Sequence, residues 1–134
     1  MPQVSKNKLS KKVEEDLCNT LELILSGLTK KDAIKSFLVS FLTPTERIML
    51  AKRLSIVILL RENVPQSQIA QALHVTRVTV ARMELFLEAR GQGYEVIFNI
   101  LKKEKAINEI KSMLLDLAAY SARAAGGRVK PGIF

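Results

Sequence analysis

The segment from Pro65 to Arg82, PQSQIAQALHVTRVTVAR, restricts the fold more than any other part of the chain. It contains no acidic residue, and its apolar positions fit two short helices joined by a tight turn. The small side chain of Ala70 permits the two helices to approach closely. The residues predicted to face inward are Ile69, Leu73, Val75, Val80 and Met83. This spacing predicts a helix-turn-helix, a motif that places its second helix in the major groove of DNA.

Of two residues between the helices, Thr76 supports this interpretation and His74 departs from the usual pattern. The Thr76 hydroxyl can accept a hydrogen bond from the N–H of Val78 or Thr79, which predicts that Thr76 caps the second helix. His74 occupies the turn, where glycine is common because the backbone needs a positive φ. Histidine is among the other residues that tolerate this left-handed geometry.

The outward positions of the motif carry side chains that suit DNA. Arginine pairs with guanine, threonine contacts phosphates or bases, and valine contacts the methyl group of thymine. The residues predicted to contact DNA from the second helix are Thr76, Arg77, Val78, Thr79, Ala81 and Arg82. Gln66, Ser67 and Gln68 begin the first helix, where free N–H groups and the positive dipole end suit a phosphate. The alternative, two packed helices in some other all-α protein, is disfavoured because this face lacks carboxylates.

Composition limits the other functions open to the chain. With 134 residues, 48% of them hydrophobic, the chain can build one domain with a core, and a net charge of +8 favours polyanionic partners. Basic charge alone would also suit RNA or an anionic membrane. Cys18, the single cysteine, is expected to be a buried apolar residue in a reducing cytoplasm. One histidine, one cysteine and no carboxylate cluster beside them predict neither catalytic residues nor a metal site.

The rest of the chain reads as helical, with no alternating strand pattern. A first helix is predicted over about 10–26, with Gly27 ending it, and a second is predicted to be capped by Thr29 with Asp32 three residues later. A third helix opens with Thr43 as its cap, Pro44 in its first turn and Glu46 at the reciprocal position, and runs to about residue 62.

The segment LSIVILL, from Leu54 to Leu60, is apolar on nearly every side of this third helix. Such a helix must be buried all round. A chain this small can hardly wrap a helix completely, so a second copy is expected to cover part of it, which predicts a homodimer. The alternative is that the chain's own first and last helices cover it.

The C-terminal part is predicted to contain two more helices. Gly91-Gln92-Gly93 is interpreted as a flexible joint before a helix that begins at about Tyr94. A last amphipathic helix follows, whose apolar positions are Ile107, Ile110, Leu114 and Leu117 and favour core packing. The predicted organisation is one all-helical domain over 1–124, with the helix-turn-helix at about 65–88, and a flexible basic tail over 125–134. No targeting or membrane-spanning segment is predicted, so a cytoplasmic, nucleoid-associated protein is expected.

Residues 41–101 resemble the Trp repressor family. The likeness rests on an LTP-x-ER opening, a long central helix with an internal arginine, an LLR ending and the helix-turn-helix after a short turn. An LR-E sequence after the central helix and the segment Gly91-Gln92-Gly93-Tyr94 resemble its YerC/YecD-type repressor-like subgroup. The resemblance implies an intertwined, all-helical homodimer that represses transcription from palindromic operators.

The resemblance also implies a place for a small-molecule effector. Arg53 and Arg82 match the two arginines that hold the indole of L-tryptophan, and Thr43 matches a threonine that contacts it. Met83 and Phe86, however, stand where tryptophan-binding members have small residues, and both would fill the pocket. Between Arg53 and Arg61, the central helix is also one residue shorter than in the tryptophan-binding members. We therefore expect that tryptophan does not control the protein, that its effector is another molecule or does not exist, and that it has no cofactor.

Two alternative functions remain open at this point. The LTP-x-ER opening before a helix-turn-helix also resembles the fourth region of sigma factors and the output domains of response regulators, which contact RNA polymerase. In the other alternative the protein is a helical adaptor that binds a protein partner through residues 104–124, and the helix-turn-helix serves only as scaffold.

Overall fold

A computed structural model describes residues 7–103 and 105–126, which form seven α-helices and no strand. The helices are α1 (Lys11–Gly27), α2 (Lys31–Phe41), α3 (Pro44–Arg61), α4 (Gln66–Leu73), α5 (Arg77–Arg90), α6 (Gln92–Lys103) and α7 (Lys105–Gly126). The predicted all-α class is confirmed. No helix in these two ranges is both long and apolar enough to cross a membrane. The chain divides between Met49 and Leu50 into two compact units.

The helix starts in the N-terminal unit follow local capping rules. Ser10 caps α1, and its hydroxyl accepts the N–H of Val13 at 3.3 Å. At α3 the N–H of Thr43 donates to the Glu46 carboxylate at 3.0 Å, and the N–H of Glu46 donates to the Thr43 hydroxyl at 3.2 Å. These bonds confirm the predicted capping box, and hydrogen bonds from the backbone and side chain of Thr43 hold the pKa of Glu46 below its usual range.

The predicted cap of α2 is wrong. The cap position of this helix is Lys30, whose side chain makes no capping hydrogen bond, and the helix begins at Lys31. Asp32 is therefore the second helical residue, whereas the reciprocal bond of a capping box comes from the third. Thr29 consequently lies one residue too early to act as the cap.

None of residues 7–49 is buried. On α1 the large apolar side chains that remain exposed are Val13, Leu17, Leu21, Leu23, Ile24 and Leu25. On α2 the rings of Phe37 and Phe41 stack with their centroids 5.0 Å apart, and Phe41 is exposed. Cys18 is exposed as well, so the expectation that it is buried is wrong, because α1 buries none of its residues within the chain.

The C-terminal unit contains the hydrophobic core. Ile56, Val57, Ile58 and Leu59 of α3 are buried, which confirms the prediction for the middle of the apolar segment. Leu54 is 42% exposed, so the prediction is wrong at that end. The rest of the core comes from later helices of the same chain, namely Ile69, Ala70, Ala72, Leu73, Val80, Phe98, Leu101, Leu114 and Ala118. The expectation that a second copy covers this segment is therefore wrong for 56–59, since α4 to α7 cover it.

The connection between α5 and α6 is a single residue, so the predicted three-residue joint is wrong. Gly91 ends α5, and α6 already begins at Gln92. The N–H of Tyr94 donates to the Gly91 carbonyl at 3.0 Å, which closes the first turn of α6. Gln92 and Gly93 are thereby helical.

Gly91 also sits against the backbone of the preceding turn, which predicts opposite effects for two glycine substitutions. A Cβ atom at Gly91 would run into the carbonyl oxygen of Leu87, whereas a Cβ at Gly93 would meet nothing within 4 Å. We expect Gly91→Ala to lower the free energy of unfolding by about 1–3 kcal/mol, because the backbone must shift. Gly93→Ala should raise it by about 0.5–1 kcal/mol, because alanine favours the helix. Urea unfolding followed by circular dichroism measures both, and equal effects would contradict the contact at Gly91.

Helix α7 packs against α4 and α6. Its Leu114 is buried as predicted, while Leu117 is exposed and the side chains of Ile107 and Ile110 lie outside the described residues. The flexible tail was predicted to begin at residue 125, but α7 continues to Gly126. Residues 127–134 lie outside the described part of the chain.

Candidate nucleic-acid interface

The turn between α4 and α5 has the geometry that the sequence predicts. His74 has φ 54° and ψ 50°, which is left-handed backbone, and its N–H donates to the carbonyl of Ala70. The N–H of Val75 donates to the same carbonyl at 3.0 Å. Thr76 caps α5, and its hydroxyl accepts the N–H of Thr79 at 3.1 Å. Both predictions for this turn are confirmed.

The inner side of the motif anchors it to the core. Ile69 and Val80 are fully buried, and Ala70 and Leu73 are buried beside them. Val75 and Met83 are half-buried against the same core. The sequence identified all of these positions but missed Ala72, which is also buried. Because α4 and α5 share one apolar cluster, their outer surfaces are held in one arrangement.

The outer side of α5 presents the predicted DNA-contacting side chains to solvent. Thr76, Arg77, Val78, Thr79 and Arg82 are exposed, and Ala81 is half-buried. One side of α5 carries Arg77, Val78, Ala81 and Arg82. Arg77 lies four residues before Ala81, and Val78 lies four residues before Arg82, so each pair shares a helix face. Val78 is 65% exposed, although valine gains free energy by leaving water. The helix therefore presents two guanidinium groups with an apolar side chain between them.

The N-terminus of α4 differs in part from its prediction. The N–H of Gln68 donates to the Pro65 carbonyl at 3.0 Å, so the expectation that it is free is wrong. The structure gives the N–H groups of Gln66 and Ser67 no partner among its described residues. The side-chain amide of Gln66 donates to the Glu84 carboxylate, which ties the start of α4 to α5. No sequence pattern indicated this contact, because the two residues are 18 positions apart.

An open concavity of about 450 Å³ lies on the outer surface at the turn. The residues that line it are Ser67, Ala70, Gln71, His74, Val75 and Arg77. Gln71 and His74 were not among the predicted contact residues. The sequence did carry one signal for Gln71, which stands one helical turn after Ser67 and so shares its face. No carboxylate belongs to this lining.

The residues predicted to hold an effector lie in different environments in the structure. Thr43 uses its hydroxyl in the α3 cap, and Arg53 and Arg82 are exposed. Met83 packs half-buried against the core. Phe86 is exposed, and the guanidinium carbon of Arg90 lies 6.0 Å from the centre of its ring. In the part of the chain that is described, no three histidine, cysteine or acidic side chains group so as to hold a metal ion.

Comparison with known protein families assigns a family to most of the chain. A protein-family model described as Trp repressor protein matches residues 15–102, which include α2 to α5 and most of α1 and α6. The chain belongs to the Trp repressor family. No curated protein and no solved structure matches it significantly.

The family match identifies the class of the protein. Trp repressor family members are regulatory, helix-turn-helix DNA-binding proteins and not enzymes, so the exposed outer face of α4 and α5 is the candidate DNA interface. The match does not distinguish a subgroup of the family. It ends at residue 102, so α7 lies outside it although this helix packs against the first helix of the motif.

Proposed function

We propose that this Trp repressor family protein is a cytoplasmic transcriptional repressor that binds palindromic operators in double-stranded DNA as a homodimer. The observation that carries the proposal is the acid-free outer face of the helix-turn-helix, on which Arg77, Val78 and Arg82 are exposed beside a correctly formed turn. Gln66, Ser67 and Gln68 lie at the start of α4, where the positive end of the helix dipole suits a phosphate.

Electrostatics supports a nucleic-acid partner. The net charge is +8, and the segment from Pro65 to Arg82 contains no acidic residue. The first carboxylate after it, that of Glu84, accepts a hydrogen bond from Gln66. A phosphate backbone approaching this face therefore meets cations and hydrogen-bond donors. The protein's cations release counterions from the DNA, and this release favours binding at low salt.

The homodimer is supported by the N-terminal unit. Helices α1 and α2 carry large apolar side chains, yet no residue between 7 and 49 is buried within the chain. Soluble monomers rarely expose contiguous apolar patches larger than a few hundred Å². A second copy that covers these faces would also pair two recognition helices, and a two-fold axis between them matches a palindromic site.

The alternatives have less support. In the adaptor hypothesis the apolar face of α7 binds another protein, but Leu114 and Ala118 of that face are buried in the chain's own core. The family match disfavours a module of the sigma-factor or response-regulator type. Control by tryptophan is disfavoured because Met83 and Phe86 are bulky where tryptophan-binding members have small residues. If Thr43, Arg53 and Arg82 bind an effector, it is a molecule other than tryptophan.

Selection of bound sequences from random duplexes, followed by one pair of variants, tests the proposal. On the selected site we expect Arg77→Ala to weaken binding by about 1–3 kcal/mol, roughly 5- to 150-fold, because arginine reads guanine through two hydrogen bonds. Arg90→Ala is the matched control, since it removes the same charge from the last turn of the same helix. Arg90→Ala should weaken binding much less than Arg77→Ala does, and by the same factor on every DNA sequence. Equal losses in the two variants would contradict base recognition by α5.

A further inference from the structure

His74 combines an unusual backbone with a side chain that makes no hydrogen bond to any residue that the structure describes. Its φ of 54° lies in the left-handed region, which glycine adopts without steric cost and other L-residues rarely adopt. The imidazole is exposed and makes no hydrogen bond within the described residues. The chain thus keeps a strained non-glycine residue at the centre of its DNA-facing turn, and the described residues give its side chain no structural task.

The surroundings of the imidazole suit an anion. His74 lines the concavity of about 450 Å³ together with Ser67, Gln71 and Arg77. The hydroxyl, amide and guanidinium groups of these three side chains can all donate hydrogen bonds to a ligand. The two other lining residues, Ala70 and Val75, are apolar. Four donors without a carboxylate match the oxygen atoms of a phosphate group.

We propose that His74 contacts a DNA backbone phosphate in this concavity, beside Arg77, and makes DNA binding stronger as the pH falls. The inference rests on the proposed DNA-binding function and names a contact beyond those predicted from the sequence. A phosphate next to the imidazole favours its protonated form, so binding is coupled to the uptake of a proton. Histidine is the side chain that changes its charge between about pH 5 and pH 8.

The charged groups around this site are few. Helix α5 contributes Arg77 to the lining, α4 contributes no ionisable side chain, and α7, which packs against α4, contributes no residue. His74 is also the only histidine of the chain. A change of DNA affinity in this pH range that disappears when His74 is replaced can therefore be assigned to it.

Two variants test the inference without disturbing the turn. Glycine and asparagine both accept left-handed backbone, so His74→Gly and His74→Asn should fold and melt at a temperature no lower than the original protein. Asparagine keeps a hydrogen-bond donor but cannot gain a proton. The affinity of the full chain for its selected duplex is measured at pH 6 and pH 8 over a series of salt concentrations.

We expect the original protein to bind about 100-fold more tightly at pH 6 than at pH 8, because one charged hydrogen bond gives about tenfold and the proposed dimer makes two. The slope of log affinity against log salt should be steeper at pH 6 by up to about 0.9 per chain. Both differences should vanish in both variants. If the original protein and His74→Gly bind alike at both pH values, the inference is overturned while the proposed function stands. If the original protein binds no duplex at low salt, both are overturned.

Discussion

Replacement of Leu21 by aspartate should separate the proposed homodimer into monomers of 15.0 kDa, whereas the same replacement at Leu23 should leave particles of twice that mass. Both leucines are exposed on α1 within a single chain, Leu21 to 39% and Leu23 to 73%, so neither belongs to the chain's buried core. They differ in the face they occupy. The predicted apolar stripe of α1 consists of Val13, Leu17, Leu21, Ile24 and Leu25. Leu23 lies on the opposite, mainly polar side.

The size of the effect follows from desolvation. A carboxylate buried without a partner costs about 3–5 kcal/mol, and a two-fold dimer would bury two of them. The dissociation constant of the Leu21→Asp dimer should therefore rise more than about 1,000-fold. Operator affinity should fall as well, because a monomer reads only one half-site.

Sedimentation equilibrium at micromolar concentration measures the mass, and circular dichroism checks that the helices persist. Two results would contradict the dimer. One is a mass of 15.0 kDa for the original protein, and the other is identical behaviour of the Leu21→Asp and Leu23→Asp variants.

The features that the sequence predicted correctly are short-range. Thr43 with Glu46 and Thr76 with Thr79 satisfy backbone N–H groups three residues away, and these rules depend on no distant part of the chain. The positive φ of His74 follows from the spacing of the apolar residues on either side of the turn. Local periodicity also identified the inward face of the motif, including the fully buried Ile69 and Val80.

The features that the sequence did not predict depend on how helices pack. The apolar pattern of residues 54–60 requires a cover but does not specify which chain supplies it, and α4 to α7 cover 56–59. The bond between Gln66 and Glu84 depends on the angle between α4 and α5. The same angle brings Gln71 and His74 into the lining of the concavity, so hydrophobic spacing alone did not identify them.

Replacement of Ala118 by aspartate should have the second large effect, because it acts on the helix that lies outside the family match. Ala118 of α7 is 1% exposed and Leu114 is buried one turn before it, within the core that also contains Ile69 and Leu73 of α4. The buried part of this core contains no polar or charged side chain among the described residues. A carboxylate there would have no partner, which should lower the free energy of unfolding by about 3–5 kcal/mol.

The same substitution should weaken DNA binding although Ala118 is buried in the core, away from the exposed side chains that are proposed to bind DNA. Helix α7 packs on α4, and α4 carries both the predicted phosphate contacts and half of the residues that line the concavity. If the carboxylate separates α7 from α4, the inner face of α4 loses part of its cover, and the arrangement of α4 and α5 becomes less defined. Only a fraction of the molecules then holds α4 and α5 in the arrangement that binds DNA, and the apparent affinity falls in proportion to that fraction.

Met113→Asp is the matched control, since it introduces the same charge on the same helix at a side chain that is 59% exposed. A surface substitution of this kind should change the free energy of unfolding by less than about 0.5 kcal/mol. Urea unfolding and the affinity for the selected duplex are measured for both variants. Because both variants place the same charge on α7, equal stability and equal affinity would mean that α7 is merely appended to the part of the chain that the family model matches. A loss of both in Ala118→Asp alone would mean that this protein uses its additional helix to hold the helix-turn-helix in place.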